Sequence, residues 1–250
     1  MRDEQMTHNA FFVDGAERNG AWVITCDHAT NTVPHHVNGG TLGLPEVEMQ
    51  RHIAIDIGAL GVARALGEAL NAPVVSANFS RLVIDPNRGA DDPTLVPQLY
   101  DGTIIPGNRP LTGAERQRRI DLLYDPYHDA IARTANTRDI TFLAVHSFTP
   151  QLVGRPRRPW EIGVLSARDR RIADPLIASL SGALTSPVGD NAPYAGFFPG
   201  DAMSQHAHIP GRPNVILEIR QDLIAQPEGQ HRWATLLAHH LEAARTQANL

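Results

Sequence analysis

ITFLAVHSF, residues 140–148, decides how this chain folds. Ile140–Val145 suits a strand buried on both faces, and it delivers an imidazole, His146, at its end. Open α/β sheets keep their chemistry in the crevice at the carboxyl ends of parallel strands. His146 is therefore either a satisfied structural histidine or a functional one aimed into that crevice. Position alone leaves both readings open.

Outward from this strand, the chain alternates. Ala21–Thr25 (AWVIT) reads as a short buried strand followed by the loop CDHATN. Glu46–Leu70 reads as one long helix, with Ile53, Ile57, Leu60 and Val62–Leu66 as its apolar stripe. Strands are expected at Pro73–Ala77 and Leu82–Ile84, then a long Gly/Pro/Asp/Asn-rich loop over residues 87–110. Thr112 and Glu115 form a capping-box pattern opening a helix to about Ala135. A turn at 155–160, a strand in EIGVLSA and a helix over Arg170–Leu180 follow. After an irregular stretch, 191–213, come the strand NVILEI (214–219) and a terminal helix from Glu228 to about Thr246. This order predicts a single α/β domain, 1–250, with a mostly parallel or mixed sheet and helices on both faces. Residues 1–19 read as a loosely attached segment.

Composition excludes several classes. The chain has 250 residues, 42% of them apolar, and a net charge of −5, which gives no electrostatic footprint for nucleic acid. Its single cysteine, Cys26, rules out an intrachain disulfide and thiolate-rich metal sites. All 22 basic residues are arginine, so Schiff-base and phosphate-loop lysine chemistries are absent. There is no G-x-S-x-G elbow and no dinucleotide-binding glycine pattern. No apolar run is long enough for a membrane span, and Arg2, Asp3 and Glu4 follow Met1 without an apolar leader, so the cytoplasm is the expected location.

Polar groups collect at three strand ends: Asp27 and His28, His146 and Ser147, and Glu218. Two histidines with a carboxylate are a hydrolytic zinc set. Glu218 sits inside an apolar strand, where a carboxylate costs several kcal/mol unless paired or tuned. Arg220, on the same strand face, is its structural alternative. In SRLVIDPNR (80–88), Asn87 and Arg88 can grip a carboxylate, while Asp85 can pair with an arginine and shape the turn. Asp56 interrupts the apolar stripe of the long helix and can equally be an outward helix residue.

Taken together, CDHATN, HIAIDIGA, SRLVIDPNR, YDPYHDAI, FLAVHSF and VILEIRQDLI, in this order between about residues 22 and 224, resemble the N-formylglutamate amidohydrolase family. That family is similar in fold and logic to zinc carboxypeptidases and aspartoacylases. The resemblance implies one zinc ion per chain held by His28 and His146. It implies that Asn87 and Arg88 bind the substrate carboxylate, with Arg81 beside them or at the oxyanion, and that Glu218 is the catalytic base. The substrate implied is a small carboxylated N-acyl amino acid. One departure stands out. The related enzymes place a glutamate ligand three residues after the first histidine, and here that residue is Asn31. Asp56 is the expected replacement, with Asp27 as the other choice. A degenerate member that only binds a carboxylated metabolite is the rival reading. Tyr194, His206 and His208 are either lid residues or solvent-exposed loop residues.

Overall fold

A computed structural model of the chain describes residues 8–136 and 139–250. Its strands are β1 (Phe11–Asp14), β2 (Trp22–Cys26), β3 (Val74–Ala77), β4 (Leu99–Tyr100), β5 (Thr103–Ile104), β6 (Thr141–Phe148), β7 (Ile162–Leu165), β8 (Val188–Asp190) and β9 (Asn214–Arg220). The helices are α1 (Glu46–Met49), α2 (Ala59–Ala69), α3 (Gly113–Arg119), α4 (Asp125–Ala135), α5 (Ala173–Ala183) and α6 (Pro227–Gln247). Seven strands form one mixed sheet in the order β1-β3-β2-β6-β9-β7-β8, and β4 and β5 form a separate hairpin. The central run β3, β2, β6 and β9 is parallel, while β1 and β7 join it antiparallel. This is the single-domain α/β architecture expected from the alternation.

The apolar strands are buried because both faces are covered. Alternate residues of β6 serve opposite layers. Leu143 and Val145 pack with Val62 and Leu66 of α2, Leu176 of α5, and Leu237 and Leu241 of α6. Phe142 and Ala144 pack on the other face with Tyr127 and Ile131 of α4. In α6 the buried residues Trp233, Leu237, Leu241 and Ala244 recur at helical spacing. A fully buried leucine such as Leu237 contributes roughly 1.5–3 kcal/mol relative to exposure. His146 and Glu218 share the parity of Ala144 and Ile216, so they face the α4 side, away from the three-helix layer.

Several expectations need correction. The long helix over 46–70 is broken: α1 ends at Met49 and α2 starts at Ala59, with an irregular segment between. Gly58 opens α2 with φ of 80°, and a Cβ there would come within 2.0 Å of the Ile224 carbonyl oxygen, so a side chain cannot be accommodated. The break is pinned from both sides: Ser80 Oγ donates to Ala54 O (2.8 Å) and Ser147 Oγ to Ile57 O (2.9 Å). Leu82–Ile84 is not a strand. Val83 N–H bonds back to Ser80 O, and Asp85 N–H reaches Leu95 O, which makes a buried turn. The strand carrying His146 continues to Phe148, so the imidazole lies within β6 rather than at its tip. The predicted 112–135 helix has its Thr112 cap, whose Oγ1 accepts from Glu115 N–H at 3.1 Å. A π-helical turn at Ile120–Tyr124 interrupts it, just before Pro126, which has no N–H to donate. Within the 1–19 segment, residues 1–7 lie outside the described residues, and Phe11–Asp14 pairs with β3.

Candidate active site

Because β2, β6 and β9 run parallel, their polar residues converge at one edge. His28 follows β2, His146 lies in β6, and Glu218 is its register partner in β9. Asp56 arrives from the break before α2, held by its own N–H on His28 O at 3.0 Å. Had the segment stayed helical, this carboxylate would not be anchored to the loop after β2. Instead Asp56 Oδ2 lies 3.1 Å from His28 Nδ1 and 2.9 Å from His146 Nδ1. One ligand atom from each of the three residues lies within 4.8 Å of the others, and all three side chains are buried.

The second nitrogen of each imidazole also faces a carboxylate. His28 Nε2 is 2.7 Å from Asp85 Oδ1, and His146 Nε2 is 3.3 Å from Asp27 Oδ2. Carboxylates in this position fix the tautomer and orientation of metal-binding histidines. Asp85 is held in turn by Arg81 Nη2 (2.9 Å) and by the Asn87 backbone N–H (2.9 Å). Asp27 Oδ1 accepts the Tyr127 hydroxyl at 2.5 Å. Asp85 thus pairs with an arginine and shapes its turn, as its sequence position suggested, and it also orients His28. Asp27 orients His146. The sequence shows both carboxylates but not these partners, because each contact spans distant segments. Asn31 is turned elsewhere: its Nδ2 donates to Met49 O at 2.8 Å.

The electrostatics favour a cation. The carboxyl groups of Asp27, Asp56, Asp85 and Glu218 are all buried, and the mostly buried guanidinium of Arg81 pairs with two of them, Asp56 and Asp85. The remaining balance comes from protons on the imidazoles and Glu218, or from a metal ion. Burial alone would lower the His146 pKa, but hydrogen bonds and charges from Asp27 and Asp56 outweigh it and hold it well above the ordinary histidine value. His28 is also raised: burial and Arg81 oppose its charge, and Asp85 and Asp56 override them. Burial would raise Asp56, yet the two imidazoles bring it below the usual carboxylate range. The two nitrogens and one oxygen are the donor types zinc takes, and bonds of about 2.0–2.2 Å bring such donors to roughly the spacings seen here. The residues present fit a divalent ion.

Glu218 differs from the other acids. Its Oε2 is buried without a hydrogen-bond partner among the described residues. Burial pushes its pKa up to about 7, with Asp56 adding to the rise and His146 opposing it. Arg220 is not its partner. That side chain donates to Asp222 Oδ1 (2.7 Å) and to Trp160 O (3.2 Å).

Arg81, Asn87 and Arg88 all line the same cleft as His28, Asp56, His146 and Glu218. Arg81 is committed to Asp56 Oδ1 (3.4 Å) and Asp85 Oδ2 (2.9 Å), while its buried Nε has no partner among the described residues. Arg88 donates one bond to Asn87 O (3.1 Å), and its guanidinium lies 5.3 Å from the Phe198 ring centroid. Tyr194 lines the cleft, where burial and the Glu218 charge push its hydroxyl up to about 12. His206 lies elsewhere, buried against His128 with ring nitrogens 2.8 Å apart. His208 stacks beside Phe197 on a neighbouring surface pocket. Tyr100 and Phe198 also line the cleft, and no local pattern in the sequence marks them. No helix among the described residues is long and apolar enough to cross a membrane.

Known proteins share this framework. An N-formylglutamate deformylase from Pseudomonas putida is 28% identical over 163 residues, 57% of this chain, and the match spans only 60% of that protein's length. The crystal structure of a gene product from Agrobacterium tumefaciens matches with a TM-score of 0.90 at 37% identity, over 98% of both chains. The N-formylglutamate amidohydrolase from Ralstonia eutropha has the same fold, with a TM-score of 0.67 at 22% identity, covering 96% of this chain and 98% of its own. The sequence model of the N-formylglutamate amidohydrolase family matches residues 20–225. By that match, which takes in every strand end described above, the chain belongs to the N-formylglutamate amidohydrolase family.

Proposed function

We propose that this protein is a metal-dependent amidohydrolase that cleaves the N-acyl, formyl-type amide of a small carboxylated substrate such as an N-acyl amino acid. The observation that carries the reading is the buried His28–Asp56–His146 group with an unpaired carboxyl, Glu218, beside it on the same cleft. His28, Asp56 and His146 would hold one zinc-like ion, which supplies Lewis-acid activation of water and of the scissile carbonyl. The Glu218 carboxylate accepts a proton from the attacking water and later delivers it to the leaving amide nitrogen. The C–N bond breaks, giving formate and the free amine. A base that works near neutrality needs a raised pKa, and burial of Glu218 supplies it. Arg88 and the Asn87 amide fix the substrate carboxylate, which brings the amide to a defined place in the cleft. Arg81, which lines the same cleft, is the cation available to stabilise charge developing on the carbonyl oxygen.

The test is formate release from N-formyl amino acids by zinc-loaded protein. Metal-dependent release, lost in His28→Ala/His146→Ala, supports the reading. Release that continues unchanged in that variant contradicts it.

A further inference from the structure

The Arg88 side chain carries little that fixes its own aim. Its guanidinium donates to Asn87 O, one residue away, and lies against the Phe198 ring. Neither contact involves a carboxylate, so the place of its charge follows from the place of the 86–88 backbone. Asp85, which orients His28, holds the N–H groups of that backbone: its Oδ1 accepts from Asn87 N–H at 2.9 Å and its carbonyl from Arg88 N–H at 3.2 Å.

The carbonyls of the same turn are held by Tyr124 and His128, four residues apart and so on one helical face. His128 Nε2 lies 3.0 Å from Pro86 O, and the Tyr124 hydroxyl donates to Arg88 O at 2.8 Å. Each has a second support from the π-helical turn Ser204–His208. His206 Nε2 lies 2.8 Å from His128 Nδ1, and Gln205 Nε2 donates to the Tyr124 hydroxyl at 2.8 Å. Pro86 O can only accept, so His128 carries its proton on Nε2 and receives the His206 Nε2–H at Nδ1. Burial and the charge of His206 push His128 down to about 4, and burial pushes His206 down to about 4. Both rings are therefore neutral at neutral pH, and each keeps the donor and acceptor this chain of bonds needs.

Phe198 reaches Arg88 from the same stretch. The Asp201 side chain ties that stretch together by accepting from the N–H groups of Phe198 (3.1 Å) and Ser204 (2.6 Å). Gly200, with φ of 74°, lets it touch the Arg88 turn, since a Cβ there would lie 2.9 Å from Gly89 Cα. None of Tyr124, His128, Gln205 and His206 lines the cleft itself.

Resting on the reading of Arg88 as the receptor of the substrate carboxylate, we infer that Tyr124 and His128, backed by Gln205 and His206, are positioning residues that aim the Asn87–Arg88 pair. They act through two backbone carbonyls rather than on the substrate.

The test is a double-mutant cycle between Arg88→Ala and the pair Tyr124→Phe/His128→Leu, with N-formyl-L-glutamate as the probe. Calorimetry reads binding to the full metal-free chain, and kcat/KM is read on the zinc-loaded protein. The pair is expected to weaken both by roughly 10–100-fold, the scale on which a misplaced group is felt. Zinc uptake should be unchanged. In the Arg88→Ala background the same pair should cost almost nothing, because the group it aims is gone. His128→Gln, whose amide N–H can take the place of Nε2–H, should retain most of the binding that His128→Leu loses. Tyr124→Phe alone removes one hydroxyl and keeps the ring, and it should show the same non-additivity at smaller size even if the paired variant folds poorly. No loss, or losses that add in full to that of Arg88→Ala, overturn the inference. If the parent chain binds no probe, or Arg88→Ala binds it as well as the parent, the carboxylate reading fails and the inference falls with it. If binding follows the cycle but no formate is released, the amidohydrolase reading fails and the inference stands.

Discussion

His146 and Glu218 are register partners across the parallel β6–β9 pair. The parallel register places an imidazole engaged with Asp56 next to a carboxyl group whose buried Oε2 has no hydrogen-bond partner among the described residues. The two residues thus serve one cleft in different capacities, one positioned by carboxylates and the other kept free of them.

Glu218→Gln separates a base from a structural partner. Since Arg220 is bonded to Asp222 and Trp160, the substitution breaks no ion pair. The melting temperature is expected to hold or rise, because a costly buried acid is removed. Zinc uptake is also retained, while kcat falls by about 10²–10⁴-fold, the usual contribution of a general base. A large loss of thermal stability would instead mean that Glu218 holds the sheet together.

Asp85→Asn tests the carboxylate behind His28. The variant keeps the turn, but weakens the group that orients Nε2. Zinc affinity or activity should fall by roughly 10–100-fold, as for other partners that orient metal-bound histidines. Competition with a chromophoric chelator reads the affinity directly. Unchanged affinity would reduce Asp85 to a shaper of its turn.

Arg88→Ala should lower kcat/KM by about 2–5 kcal/mol, the range for truncating one member of a hydrogen-bonded charge pair. Lysine at this position should rescue poorly, since it lacks the planar fork that matches a carboxylate. Cleavage of the carboxamide analogue as fast as the free acid would argue against this role.

Metal uptake should release protons. In the metal-free chain, His28 and His146 are held protonated above the ordinary histidine pKa, and a metal binds only the neutral imidazole. Zinc affinity therefore rises as pH rises through the raised values, and it falls on acidification. The raised pKa values also stabilise the metal-free fold. That contribution is complete below the ordinary histidine value and is lost as pH rises through the folded-state values. Zinc should thus raise the melting temperature most at alkaline pH. Calorimetry in buffers of different ionisation enthalpy measures the released protons, and no buffer dependence at neutral pH would contradict the proton inventory.

The sequence exposed the site only where a local signal exists. Apolar runs ending in polar groups brought out His28, His146 and Glu218, because strand burial makes an isolated polar residue conspicuous. The same logic misread Glu46–Leu70. Ile53 and Ile57 have helical spacing, but Gly58 and the contacts of Ser80 and Ser147 override that propensity and form the break that presents Asp56. Leu82–Ile84 looked like a strand because buried turns and buried strands share an apolar composition. Asp27 and Asp85 were visible as residues but not as partners of particular nitrogens, since those pairings exist only after β2, β6 and the Ser80–Arg88 turn converge. Tyr100 and Phe198 left no trace for the same reason: they reach the cleft from the two long irregular segments.

The central claim is tested most directly by titrating zinc into the metal-stripped protein while following formate release from N-formyl-L-glutamate. The account predicts no release before zinc is added and a plateau at one ion per chain. Glu218→Gln should take up the same single ion without recovering turnover. Full activity in the stripped protein, or near-normal turnover in Glu218→Gln, would contradict it.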